Sequence, residues 1–272
     1  MVKNLHCSPK FNKNSNFTCF TLDALERIAQ KYNEKNPDKI KLSKNKRVLW
    51  NRIRSKLSNK CNTEWCWLDQ DFANNSLKKL KKNVFRPKMP SSWKKNKYEW
   101  LSTTDINVVM KQYEKEYPNF RFIGPVPVDC YIGSNLSCEL TNLDIIKTFK
   151  KINKLGIIYN LDYSYQSGSH WVGLFVDGVK EHIVYFDSVG TPPPEEIKYL
   201  MEKIKSEFKK EGKDYKIIIS KKSHQYGNTE CGIYSMNFII QMLKGKTLGK
   251  LNQKRIPDKV MNEMRKYLYR SN

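Results

Sequence analysis

The feature that most constrains this chain is a cysteine directly before an apolar, helix-like run near the C-terminal end. Cys231 is followed by Gly232 and the run 233–240, and polar turn residues precede it. Asn228 or Thr229 can cap a helix that begins within a residue or two of the cysteine. The positive end of such a helix favours a thiolate. We therefore interpret Cys231 as a nucleophile, against the commoner alternative of a buried small apolar side chain.

A catalytic thiol needs a base, and the chain offers four histidines. His170 lies at a predicted loop-to-strand junction, where a side chain can point into a cleft, and we rank it first. His224, next to Gln225, is the main alternative, and His182 at the start of the following strand is the other.

Two further polar residues complete the predicted site. Asp187 ends the strand that follows the one begun by His170, and an antiparallel hairpin would bring the two residues to one edge of the sheet. The carboxylate can then accept a hydrogen bond from the imidazole and orient it. Gln225 lies six residues before Cys231. Its amide can form an oxyanion hole together with the backbone N–H of the cysteine.

The proline-containing segment 86–92 predicts a boundary near residue 90. In residues 1–90, apolar side chains recur at helical spacing among many Lys and Arg, which predicts a small, basic, mostly helical region. Residues 91–272 mix helical and strand patterns and are predicted to form the catalytic domain. The strand patterns fall at 120–128, which prolines confine to an edge or a loop, and at 156–161, 171–176, 182–186 and 215–219.

Capping chemistry predicts where two helices of the second region begin. Thr103 or Thr104 can cap a helix that carries Ile106 and Met110 on its apolar face. Thr191, followed by three prolines and two glutamates, has the composition of a second helix start. A final basic helix is predicted over 257–270.

The chain carries 50 basic and 27 acidic side chains, a net charge of +23. This balance favours polyanionic partners such as nucleic acid, because binding them releases counterions. The alternative explanation is an A·T-rich coding sequence, since Lys, Asn and Ile are all abundant. No apolar run is long enough for a membrane span and no signal peptide is present, so we expect a cytosolic protein.

Seven cysteines in a chain without a secretion signal predict reduced, buried thiols rather than a disulfide framework. Zinc binding by Cys61 and Cys66, with Cys7, Cys19 or His6, is a weaker alternative because the chain has no C-x-x-C pair.

The ordered set of candidate residues resembles the papain-like cysteine peptidases that process ubiquitin-like proteins. That clan includes the SUMO-specific proteases and the adenovirus maturation protease. The resemblance covers roughly residues 98–243, and it rests on His170, Trp171, Asp187, Gln225, Cys231 and Gly232. It implies an α+β papain-like core, with a mixed sheet flanked by helices and the nucleophile at a helix N-terminus. It also implies His170 as base, Asp187 as orienting carboxylate, Cys231 as nucleophile and Gln225 at the oxyanion hole.

The same resemblance implies how substrate is selected. Trp100 and Trp171 would flank a tunnel that admits only a thin Gly-Gly backbone, with Gly232 beside it. Thr103 departs from the SUMO proteases, which usually carry an acidic residue there to meet the basic tail of SUMO. The basic helical extension is similar in layout to the polyprotein protease of African swine fever virus, and the composition suits a large DNA virus.

These observations predict a viral cysteine endopeptidase that cleaves structural polyproteins at Gly-Gly-Xaa sites during virion maturation. We expect it in the host cytoplasm, at the assembly site, and in the virion. No metal or cofactor is required, although nucleic acid or a nucleoprotein core can bind the basic surface and, by analogy with the adenovirus enzyme, activate it. The alternatives are a protease that deconjugates SUMO or ubiquitin-like modifiers, and a DNA-binding core protein with an inactive protease fold. No oligomeric state follows from the sequence.

Overall fold

The computed structural model of the protein describes residues 6–12, 17–132 and 138–271. The chain divides into two compact units, Met1–Met89 with Leu268–Asn272, and Pro90–Tyr267. The last residues, which we assigned to the second region, thus join the first unit. There the Arg270 backbone N–H donates to the Pro87 carbonyl, and the Met89 N–H donates to the Arg270 carbonyl. No helix within the described ranges is long and apolar enough to cross a membrane.

The first unit is helical. Its helices are α1 (Pro9–Asn12), α2 (Leu22–Lys35), α3 (Lys46–Leu57), α4 (Glu64–Trp67) and α5 (Asn75–Val84). Side-chain oxygens of Thr21, Asn45 and Asn74 accept backbone N–H bonds at the starts of the three longer helices, as capping requires. The apolar faces of these helices form one buried core. These helices lie within residues 1–90, the region for which the sequence predicts a mostly helical structure.

The second unit is built on a five-stranded mixed sheet. Its strands are β1 (Phe120–Pro127), β2 (Lys154–Asn160), β3 (Trp171–Asp177), β4 (His182–Phe186) and β5 (Lys216–Ile219). They lie in the order β1-β2-β3-β4-β5. The three central strands are antiparallel neighbours, and each edge strand is parallel to the strand beside it. The proline-broken 120–128 pattern therefore forms an edge strand, as predicted.

Helices cover both faces of this sheet, which confirms the α+β class. They are α6 (Thr103–Glu116), α7 (Ile145–Phe149), α8 (Glu195–Lys210), α9 (Cys231–Leu243), α10 (Leu248–Asn252) and α11 (Asp258–Leu268), with short 3-10 turns at Ser91–Lys94 and Val128–Cys130. The apolar side of α8 packs on the face that contains Leu174 and Tyr185. α9 packs on the opposite face.

The close approach of α9 to β3 depends on a glycine. A Cβ added at Gly173 would lie 2.8 Å from Cδ1 of Phe238 on α9, shorter than any normal contact. The Phe238 ring also stacks on Phe186 of β4, with ring centroids 4.9 Å apart. Nearly every residue of α9 is buried, so the helix that begins with Cys231 is held rigidly in the core.

Two predicted helix starts were wrong. Ser102, not Thr103 or Thr104, caps α6, and its side chain forms a reciprocal capping box with Asp105. Three successive residues carry hydroxyl groups, and Ser102 is the one whose third following residue, Asp105, has a carboxylate that can complete the box. At α8 the residue before the helix is Pro194, which has no capping side chain, rather than Thr191. The prolines extend the backbone and delay the helix by one turn.

The prediction of reduced thiols was wrong for six of the seven cysteines. Disulfides join Cys7 to Cys19, Cys61 to Cys66 and Cys130 to Cys138, with Cα–Cα distances of 5.3, 5.5 and 5.5 Å. The argument from compartment says where disulfides persist but not which side chains a fold brings together. These pairings also replace the zinc alternative. The described residues contain no cluster of three or more His, Cys, Asp or Glu suited to a metal ion.

Candidate active site

Cys231 is the first residue of α9, as predicted for a nucleophile at a helix N-terminus. It is the free cysteine of the chain and is only 2% exposed. The residue that precedes the helix is Glu230, rather than the predicted Asn228 or Thr229, and it makes no capping hydrogen bond to the helix. The thirteen-residue helix therefore directs its first N–H groups and the positive end of its dipole towards the thiol.

His170 and Asp187 meet at one edge of the sheet, as the hairpin argument predicted. The antiparallel register of β3 and β4 pairs Gly173 with Phe186, which brings the residues before β3 close to those after β4. Nε2 of His170 lies 2.6 Å from Oδ1 of Asp187, whose side chain is fully buried. The same oxygen accepts a backbone N–H from Val189 at 3.0 Å, which fixes the carboxylate.

The imidazole is held in its charged form by two partners. Burial alone would lower the pKa of His170, but hydrogen bonds to Asp187 and Cys231, together with their negative charges, raise it to about 10. Because Nε2 is taken by Asp187, Nδ1 is the ring nitrogen left to face the thiol. Cys231, His170 and Asp187 are therefore linked by hydrogen bonds in the order thiol, imidazole and carboxylate.

Gln225 is buried beside Ser188, the residue that follows Asp187. Its Oε1 accepts a hydrogen bond from Oγ of Ser188 at 2.7 Å. The backbone N–H groups of His224 and Gln225 both donate to the Ser188 carbonyl, at 2.7 and 2.8 Å. Nε2 of Gln225 donates to the Gly227 carbonyl at 2.8 Å. This bond uses one of the two hydrogens on the amide nitrogen. The role of Gln225 in an oxyanion hole stays a prediction.

Trp171 and Gly232 pack together next to the nucleophile. Nε1 of Trp171 donates to the Leu101 carbonyl at 3.0 Å, so the indole secures the chain just before α6. A Cβ on Gly232 would lie 3.1 Å from Leu101 and 3.2 Å from the Trp171 ring. Trp100 is 43% exposed, whereas Trp171 is 6% exposed. The two indoles thus occupy different environments, and the proposed tunnel between them stays a prediction.

The two other histidines considered as bases have different surroundings. His224 is fully buried, its Nε2 lies 3.1 Å from Oδ1 of Asn252, and its Nδ1 accepts the Ile256 N–H at 3.0 Å. Burial lowers its pKa, so it is a neutral structural group. His182 begins β4 opposite Asp177, at the other end of the strand from Asp187. The ranking of His170 first agrees with this geometry.

One residue next to the site was not identified from sequence. The Asp258 carboxylate accepts the backbone N–H groups of Tyr226 and Gly227, at 3.1 and 3.3 Å. It also accepts the Tyr234 hydroxyl at 2.9 Å and Nη2 of Arg255 at 3.0 Å. Asp258 thereby holds the loop between Gln225 and Cys231. An acidic residue in the first turn of a helix is too common to have marked this role.

Further contacts from α11 hold the residues just before the nucleophile. Nη2 of Arg265 donates to the Thr229 carbonyl at 3.1 Å, and Nδ2 of Asn262 donates to the Glu230 carboxylate at 2.8 Å. Thr229 also donates its hydroxyl to Glu230 at 2.7 Å. The C-terminal helix therefore supports both ends of the loop that carries Gln225 and leads into Cys231.

Comparisons with known proteins find related sequences and a related fold. Residues 67–272 match the Ulp1 protease family, C-terminal catalytic domain. A protein of Acanthamoeba polyphaga mimivirus named as a thiol protease is 34% identical over 283 aligned residues, which cover 97% of this chain and 93% of the relative. The SUMO-1 cysteine protease of African swine fever virus is 31% identical over 59% of this chain and 58% of its own length. The crystal structure of the protease from African swine fever virus shares the fold, with a TM-score of 0.73, 21% identity and coverage of 99% and 97% of the two chains.

Proposed function

The chain belongs to the Ulp1 protease family and is a viral cysteine-type peptidase, and we propose that it cleaves structural polyproteins after Gly-Gly during virion maturation. The observation that carries the proposed specificity is the 2% exposure of Cys231, whose neighbour Gly232 packs against Trp171 and Leu101. A peptide must approach this sulfur closely, and a backbone without Cβ atoms needs the least room.

The triad geometry supports a two-step mechanism. The Cys231 thiolate attacks the carbonyl carbon of the second glycine. The oxyanion that forms accepts hydrogen bonds from the Cys231 N–H and the Gln225 amide. Nδ1 of the His170 imidazolium donates its proton to the leaving amine as the C–N bond breaks, which leaves a thioester. Neutral His170 then takes a proton from water, the hydroxide attacks the thioester, and the C–S bond breaks. Asp187 holds the imidazole in place throughout.

The test is product mapping by mass spectrometry. Candidate structural polyproteins of the virus are incubated with the wild type and with Cys231→Ala, and new termini are identified. We expect cuts after Gly-Gly only with the wild type. In matched peptides, Gly-Ala-Xaa should be cut much more slowly than Gly-Gly-Xaa, and equal rates would contradict the proposed specificity.

A deconjugase acting on SUMO or ubiquitin-like modifiers is the second candidate, favoured by the name of the relative from African swine fever virus. Against it stands the uncharged Thr103 at the start of α6, where an acidic side chain would meet the basic tail of SUMO. SUMO and ubiquitin C-terminal probes separate the two candidates. Rapid labelling of Cys231 by a folded modifier, with slow cleavage of Gly-Gly-Xaa peptides, would favour the deconjugase. The family match and the contact between His170 and Asp187 count against the inactive-fold alternative.

The proposed setting is the host cytoplasm at the assembly site and the virion, where the basic surface would bind nucleic acid or a nucleoprotein core. The net charge of +23 supports this part of the proposal. Fractionation of infected cells and purified virions checks the location. Peptidase assays with and without DNA check whether nucleic acid activates the enzyme.

A further inference from the structure

We propose that the first unit contains a binding site for single-stranded nucleic acid, in which a base stacks in an aromatic pocket and arginines at its rim bind the flanking phosphates. The proposal gives a defined location to the nucleic-acid contact of the proposed function and does not depend on peptidase activity. It rests on the shape of the pocket, on the spacing of residues along α3 and on the charge of the unit.

The pocket is an aromatic cavity of about 640 Å³, a volume typical of small-ligand sites. Its ring-bearing lining residues are His6, Phe17, Trp50, Trp65 and Trp67. Trp50 and Trp65 are only partly buried, so their rings border both the core and the cavity. Such rings bind the faces of unpaired bases, whereas duplex DNA keeps its bases stacked inside the helix.

The rim of the pocket is cationic because of the periodicity of α3. Arg47, Trp50 and Arg54 follow one another at three- and four-residue spacing and therefore share one face of the helix. The Arg47 guanidinium lies 4.1 Å from the centre of the Phe17 ring, and that of Arg54 lies 5.3 Å from the Trp50 ring. Both arginines are exposed. Aromatic rings beside exposed guanidinium groups suit a base with its phosphates.

The charge of the unit favours a polyanion over an acidic or apolar peptide. Residues 1–89 contain 21 Lys and Arg but only 7 Asp and Glu. The one carboxylate in the pocket, Glu64, is directed inward, where it accepts hydrogen bonds from Nε1 of Trp50 and the backbone N–H of Cys19. Burial raises the pKa of Glu64, which reduces its repulsion of a phosphate.

The test uses full-length Cys231→Ala protein and fluorescent oligonucleotides in anisotropy titrations. The probes are an oligo-dT, an abasic strand of the same length and charge, and a duplex of that length. We expect oligo-dT to bind about tenfold more tightly than the abasic strand, because only oligo-dT has bases that can stack on the aromatic rings. Equal affinity for the two single strands, or tighter binding of the duplex, would overturn the proposal.

A charge-reversal pair tests the location. Arg47→Glu with Arg54→Glu should weaken oligo-dT binding at least tenfold and lower the salt slope by about 2. The matched control is Lys78→Glu with Lys79→Glu on α5, two exposed residues of the same unit outside the pocket. Thermal unfolding verifies that both pairs fold. Equal losses from the two pairs would show that binding depends on overall charge and not on this pocket.

The same charge variants are also made in the protein that retains Cys231, and their peptide cleavage is measured. This assay separates the present proposal from the proposed function. Loss of oligo-dT binding with cleavage of Gly-Gly-Xaa peptides retained would support a separate site in the first unit. Absence of peptidase activity on every substrate, with base-dependent binding intact, would refute the proposed function and leave this inference standing.

Discussion

The contact between Asp258 and the loop before the nucleophile makes a quantitative prediction. Asp258→Ala removes the acceptor for the N–H groups of Tyr226 and Gly227, which lie at 3.1 and 3.3 Å. Those residues connect Gln225 to the segment that ends at Cys231. Without the carboxylate the loop gains freedom, and the Gln225 amide and the Cys231 N–H are less often aligned on an oxyanion. The variant should therefore lose transition-state stabilisation.

The size of the effect follows from the exposure of the contact. Hydrogen bonds to a charged group contribute about 1.5–3 kcal/mol each when protected from water. The Asp258 side chain is 21% exposed and Tyr226 is 74% exposed, so water can replace part of each bond. About 1 kcal/mol for each of the two backbone bonds gives about 2 kcal/mol, or about a 30-fold fall in kcat/KM. The hydroxyl of Tyr234 keeps the Ile256 carbonyl at 2.7 Å, which limits the loss of folding stability.

The assay is kcat and KM on a Gly-Gly-Xaa peptide, well below the Tm of each variant, with thermal unfolding in parallel. Asp258→Asn retains one carbonyl acceptor and should recover part of the activity. Glu263→Gln is the matched control, since Glu263 lies on the same helix and pairs with Lys266 at the surface. Unchanged kcat in Asp258→Ala, or an equal loss in Glu263→Gln, would refute the reasoning.

Three further predictions concern the triad and the core. Asp187→Asn should lower kcat/KM by about 10²-fold or more, because the imidazole loses its charged partner; an effect below threefold in the peptide assay would exclude an orienting role. The pKa of His170 is raised to about 10, so its pairing stabilises the fold below the ordinary histidine pKa and is lost as pH rises through about 10. The difference in free energy of unfolding between wild type and His170→Gln, measured in urea, should therefore shrink from neutral to alkaline pH. A difference that stays constant with pH would contradict this prediction. Gly173→Ala should cost about 1–3 kcal/mol of stability, because its Cβ would lie 2.8 Å from Phe238. Gly249→Ala, whose nearest neighbour is 3.9 Å away, is the control and should not be destabilising in the same urea titration.

The parts of the site that local patterns control were predictable. Two short apolar runs joined by a short turn specify the hairpin of β3 and β4, so the meeting of His170 and Asp187 followed from their positions in it. The position of Cys231 followed from the boundary between polar turn residues and an apolar run. In both cases residues close in sequence determine the geometry.

The parts that depend on tertiary packing were not predictable. Asp258 reaches its loop only because α11 packs beside it, and helical periodicity contains no information about that placement. The pairing of Cys130 with Cys138 likewise depends on how the chain turns after β1. At the start of α6, several hydroxyl residues satisfied the same capping rule, and only the reciprocal bond with Asp105 selects Ser102.

The order of the catalytic elements along the chain sets the moment during synthesis at which activity can begin. The base immediately precedes β3 and its carboxylate immediately follows β4, so both are made before the nucleophile. The nucleophile is made later, and α11, which supports the loop before it, is made after the nucleophile. A growing chain on the ribosome therefore contains the imidazole and the carboxylate before it contains the nucleophile. Translation itself delays proteolysis until the catalytic unit is nearly finished.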